Sequence, residues 1–124
     1  MKITAFYPAV ITNNAEAVIA SMEKFGFRVI HKRKRIIDDC KIECVLENEN
    51  GGRMDVVYDP EVAADYYVTR VNVDDFDEAM KMYAEDGFTV LKGPHILPDS
   101  KNAVLVAPGK LQIMLMQHMK KEEK

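Results

Sequence analysis

The stretch Val71-Asn72-Val73-Asp74-Asp75-Phe76-Asp77-Glu78-Ala79, closed downstream by Asp86-Gly87-Phe88, decides the fold. Apolar and polar residues alternate up to Val73, as they do on a strand with one buried face. Asp74 then offers a carboxylate that can cap a helix, with Asp77 three residues on, in the spacing of a capping box. Phe76, Ala79, Met80 and Tyr83 recur at helical spacing. Gly87 ends the helix, because glycine takes the left-handed conformation at little cost, and Phe88 starts a new strand.

The same order stands 61 positions earlier. Val10 aligns with Val71, Asn13 with Asp74, Glu16 with Asp77, and Gly26-Phe27 with Gly87-Phe88. Ala15, Val18, Ile19, Met22 and Phe25 form the matching apolar set, with Asn13 and Glu16 as its capping pair. A shift of 57 lays Gly52-Arg53-Met54-Asp55-Val56 on Gly109-Lys110-Leu111-Gln112-Ile113, so the second copy has a shorter middle. An internal repeat of this kind marks a duplicated structural unit.

Strands are predicted at 3–11, 27–34, 41–46 and 54–58 in the first copy, and at 66–73, 89–91, 103–107 and 111–118 in the second. Pro8 cannot donate to a ladder, which predicts an edge position or a bulge. The expected fold class is α+β. Two tandem βαβββ modules (1–59 and 65–118, with a charged tail at 119–124) are predicted to form one domain. It would be a curved, mostly antiparallel eight-stranded sheet with a helix outside each module.

The bulk composition narrows the function. With 124 residues the chain is the size of one domain. Its net charge of −3 speaks against nucleic acid, where a basic surface supplies most of the affinity. No apolar run is long enough to cross a membrane, and Met1-Lys2-Ile3-Thr4 has no signal-peptide character, so a cytoplasmic location is expected. Cys40 and Cys44 on one strand would lie roughly 13 Å apart, too far for a disulfide, and are read as reduced structural thiols. His31, His95 and His118 have no metal-ligand spacing and are read as surface residues. The basic run His31-Lys32-Arg33-Lys34-Arg35 reads as a solvated edge strand guarded by lysines.

Two βαβββ modules with Val71-Asn72-Val73-Asp74-Asp75-Phe76-Asp77-Glu78-Ala79 and Asp86-Gly87-Phe88 resemble the vicinal oxygen chelate superfamily, which holds glyoxalases, bleomycin-resistance proteins and extradiol dioxygenases. The resemblance covers nearly the whole chain. Its metal enzymes place a histidine on the first strand of a module and a glutamate on the last. Carried over by position, those sites are Phe6 and Tyr67, then Asp55 and either Gln112 or Met114. Phe6 cannot bind a metal, Gln112 is a weak ligand, Met114 is a soft one, and Asp55 alone is orthodox. The resemblance thus implies a site without a resident metal or other cofactor.

Each of these residues has two readings. Phe6 and Tyr67 are either pocket walls or core aromatics. Asp55 is either a cleft acid, able to bind a cation or act as a base, or an exposed acid at a sheet edge. Gln112, Met114 and Met116 share one face of the last strand, which suits an adaptable pocket, the core or a dimer seam. Three functions follow. The first is a metal-free protein that binds a small antibiotic or metabolite, as in the bleomycin-resistance branch, with Phe6, Asp55, Tyr67, Gln112 and Met114 around the ligand and a homodimer as its assembly. The second is an enzyme, a lyase, isomerase or dioxygenase: with a divalent metal it would be glyoxalase- or dioxygenase-like, and without metal it would need Asp55 or Tyr67 as the acid–base group. The third is a structural module whose cleft is filled.

These departures predict that protein purified without chelator carries far less than one divalent ion per chain by elemental mass spectrometry, and shows no thermal shift with added Mn, Fe, Ni or Zn. Near-stoichiometric metal with a stabilising shift would reverse the reading.

Overall fold

A computed structural model of the chain describes residues 1–35 and 41–119, with the backbone alone for residues 33–35, 41 and 42. Cys40 and the charged tail from Lys120 lie outside the described residues. The elements run β1 (Ile3–Thr12), α1 (Ala15–Lys24), β2 (Arg28–Arg35), β3 (Lys41–Glu47), β4 (Arg53–Tyr58), β5 (Tyr66–Val73), α2 (Phe76–Glu85), β6 (Thr89–Ile96), β7 (Ser100–Val106) and β8 (Gln112–His118). The fold is α+β, with the element order βαβββ twice over. Among the described residues no helix is long and apolar enough to cross a membrane.

The chain divides into two compact units, one of Tyr7–Val68, the other of Met1–Phe6 with the chain from Thr69 onward. Lys2 ties the first residues to the unit that holds Asp74: Lys2 N–H donates to Asp74 Oδ1 at 2.6 Å, and Asp74 N–H donates to the Lys2 carbonyl at 3.1 Å.

In the first unit β2 pairs with β3 and β3 with β4, both antiparallel, and β4 pairs with β1 in parallel. The parallel ladder begins at Ala9, one residue past Pro8, so the proline lies outside it. Val10, Cys44, Leu46, Met54 and Val56 form a buried cluster against Val18, Ile19 and Met22 of α1. The second unit repeats the pattern. β6 pairs with β7 and β7 with β8, both antiparallel, and β8 pairs with β5 in parallel. Its core joins Phe76 and Ala79 of α2 to Val71, Leu105, Ile113 and Leu115.

The helix ends show why the repeat was readable. Both caps stand one residue later than the sequence predicts, at Asn14 and Asp75 instead of Asn13 and Asp74. Asn14 Oδ1 accepts from Ala17 N–H at 3.2 Å, and Asp75 Oδ1 from Glu78 N–H at 3.0 Å. Asn13 and Asp74 are committed elsewhere: Asn13 Nδ2 donates to the Val62 carbonyl at 2.9 Å, and Asp74 holds Lys2. At the other end Gly26 (φ 93°) and Gly87 (φ 88°) are left-handed. Phe27 N–H returns to Met22 O at 3.1 Å and Phe88 N–H to Tyr83 O at 3.0 Å, the six-to-one bond of a Schellman motif. The hydrophobic contact that accompanies this motif is present as the Tyr83–Phe88 ring pair, 4.7 Å between centroids. Gln117 of β8 adds a second clamp on α2, accepting from Phe76 N–H at 2.8 Å and donating to Asp74 O at 3.0 Å.

Urea denaturation should separate these contributions. Leu46→Ala, which empties a fully buried site, is expected to cost about 2–5 kcal/mol, and Asp75→Ala about 1 kcal/mol through the lost cap.

Candidate functional site

Strand alternation sorts β4 into two faces. Met54 and Val56 turn toward α1, so Asp55 and Val57 turn away from it. Asp55 lies between its register partners Ala9 on β1 and Val45 on β3, and all three are 0% exposed. Val57 lies between Ile11 and Glu43, and the Glu43 carboxylate is 1% exposed. Tyr7 is also buried, with the Arg53 guanidinium 4.9 Å over its ring. The helix-free face of the first unit therefore carries two buried acids. The exposed-edge reading of Asp55 fails, because strands pair on both sides of it.

The second unit sorts in the same way. Val71, Ile113 and Leu115 turn toward α2. Arg70 and Met114 are register partners on the opposite face, followed by Asn72 and Met116. Arg70 is 0% exposed. Its Nε donates to Asn72 Oδ1 at 3.2 Å, and its Nη2 meets Met116 Sδ at 2.9 Å and His118 Nε2 at 3.2 Å. A guanidinium has donors only, so His118 Nε2 takes part in a hydrogen bond with Arg70 only as an acceptor. His118 is exposed, as expected of a surface residue, and its Nε2 contacts this cluster.

The residues expected at the site fall out as follows. Asp55 and Met114 are buried on helix-free faces, and Gln112, half-buried, shares the side of Met114 and Met116 on β8. Phe6 and Tyr67 are each 68% exposed, so neither is a core aromatic. Phe6 is an even number of residues from Val10, and Tyr67 from Val71, which sets both on the helix side of their strands. Tyr7 holds the position beside Phe6 on the face of Asp55. Sequence reasoning missed Glu43 and Arg70. The available signal was parity: Glu43 alternates with Cys44, and Arg70 with Val71, on strands whose other face is apolar.

Among the described residues no three His, Cys, Asp or Glu side chains converge as a metal-ligand group.

The first unit also has a pocket on its α1 side, bordered by Asn14, Glu16, Lys32, Cys44 and Tyr58. Burial pushes the Cys44 thiol above its ordinary pKa, the Lys32 ammonium opposes that rise, and the Asp55 carboxylate adds to it. The folded chain thus holds this proton more tightly than the unfolded chain. Its contribution to stability is complete below the ordinary thiol range and is lost as pH rises through that range to the folded value. In a Cys40→Ser background, iodoacetamide at pH 8 is expected to alkylate Cys44 about tenfold more slowly than free cysteine. Lys32→Gln should slow it further, and reaction as fast as free cysteine would contradict the burial.

No protein-family profile matches the chain, and no curated protein matches its sequence. Solved structures do match. Methylmalonyl-CoA epimerase from Mycobacterium tuberculosis aligns over 95% of this chain and 90% of its own, with TM-score 0.72 and 11% identity. Streptomyces coelicolor methylmalonyl-CoA epimerase in complex with 2-nitronate-propionyl-CoA aligns over 96% and 100%, with TM-score 0.69 and 14% identity. A protein from Staphylococcus aureus aligns over 95% and 99%, with TM-score 0.69 and 15% identity. At these identities the likeness is one of fold.

Proposed function

Starting from a chain with the vicinal oxygen chelate fold, we propose that it is a glyoxalase- or epimerase-type enzyme, a lyase or isomerase that moves a proton on a small carbonyl compound. The observation that carries this reading is the Asp55 carboxylate, wholly buried on the helix-free face of β4 at the last-strand position of its module. The epimerases among the structural neighbours support an enzyme over the bleomycin-resistance type of binding protein.

A carboxylate shielded from water can take a proton from the carbon beside a carbonyl and return it to the same molecule before solvent exchanges it. In this reading Asp55 takes and returns the proton, while Ala9 and Val45 exclude water on either side of it. Because Asp55 is fully covered, a substrate reaches it only by displacing side chains on that face.

The test is proton exchange in deuterated buffer, followed by NMR, across acyl thioesters, hemithioacetals and small 2-oxo acids. Wild-type protein is expected to exchange the acidic carbon-bound proton of at least one class. Asp55→Asn should lower that rate about 100-fold or more while retaining the wild-type melting curve within a few degrees. Ligand-dependent stabilisation without exchange would replace this reading with a metal-free binding protein. Neither exchange nor stabilisation would leave a filled cleft.

A further inference from the structure

The pocket on the α1 side of the first unit has a volume of about 360 Å³ and shares no lining residue with the face that carries Asp55. Its place follows from register. Lys32 and Cys44 are partners across β2 and β3, and Cys44 and Val56 are partners across β3 and β4, so Lys32 and Cys44 stand on the side that α1 covers. Cys44, 5% exposed, forms the floor, and Ala15 and Ile19 form an apolar wall. Lys32, Tyr58, Asn13, Asn14 and Glu16 complete the lining. A volume of this size lies at the small end of the range for small-molecule sites, and an apolar wall with a few convergent polar groups is their usual character.

The charges select the ligand class. At the start of α1 the Asn14 side chain serves Ala17 N–H, which leaves the N–H groups of Ala15 and Glu16 with no intrahelical carbonyl. With Lys32 they favour an anionic group. Glu16 lines the same pocket with the opposite sign, so a plain anion would meet repulsion there. Neither Lys32 nor Glu16 has an ion-pair partner among the described residues. We propose that this pocket binds a small zwitterion, an amino acid with an apolar side chain. Its carboxylate would face Lys32 and the start of α1, its ammonium Glu16, and its side chain Ile19 and Cys44.

The probes are L-leucine and L-methionine, with isovalerate (no ammonium) and isoamylamine (no carboxylate) as controls. The readouts are thermal shift and protection of Cys44 from iodoacetamide in the Cys40→Ser background. One of the amino acids at millimolar concentration is expected to raise Tm by about 2 °C and to slow Cys44 alkylation. The single-ended controls should do neither. Lys32→Gln and Glu16→Gln should each weaken binding about tenfold. Protection by isovalerate equal to that by leucine would make the site a simple anion site and overturn the proposal. No protection by either amino acid would overturn it as well. Asp55→Asn should leave the amino-acid effect intact, which separates this result from the fate of the acid–base reading.

Discussion

The strands β1, β3, β4, β5, β7 and β8 divide their residues between two faces, one packed against a helix and one not, and the register of the parallel β1–β4 and β5–β8 ladders sets that division. A slip of one residue would carry Asp55 into the α1 core and turn Val56 out. It would likewise push Arg70 toward α2. The apolar clusters under the helices therefore do more than supply burial energy. They specify which face receives Glu43, Asp55, Arg70 and Asn72, and so they determine the chemistry available away from the helices.

Burying those polar groups is costly unless each is satisfied, and the structure shows how part of that cost is met. Arg70 is the clearest instance: Asn72, Met116 and His118 surround its guanidinium from β5 and β8. Such clusters hold a strand face in one arrangement, because any alternative register leaves a charge stranded. Phe6 and Tyr67, by contrast, are exposed on the opposite side of their strands.

Much of the fold was legible from local chemistry. The cap–helix–glycine sentence occurs twice at one offset, and the structure repeats it down to the same Schellman bonds at Phe27 and Phe88. The cap was misplaced by one residue in both copies for one reason: Asn13 and Asp74 are good cap residues by type, but Val62 and Lys2, distant in sequence, engage them. β6 runs on to Ile96, past Gly93 and Pro94, through residues whose types argue for a break. The site was less legible. Counting back from a glycine cannot detect a one-residue phase difference, so it selected Phe6 where Tyr7 holds the face of Asp55. Glu43 and Arg70 look like ordinary surface charges until strand pairing covers them. The α1-side pocket gathers Glu16, Lys32, Cys44 and Tyr58 from four separate elements, and no local pattern in the chain announces that meeting.

The tie between Lys2 and Asp74 has a consequence for how the chain is made. Met1–Phe6 leaves the ribosome well before its partners, which lie beyond Thr69. Tyr7–Val68 can collapse around α1 as soon as it emerges, since its ladders close within it. The opening residues must wait, and α2 waits longer still, because the Gln117 side chain that clamps its first turn is almost the last described part to appear. Vectorial synthesis thus leaves Met1–Phe6 and the segment beyond Thr69 to mature together, with Met1–Phe6 exposed until then.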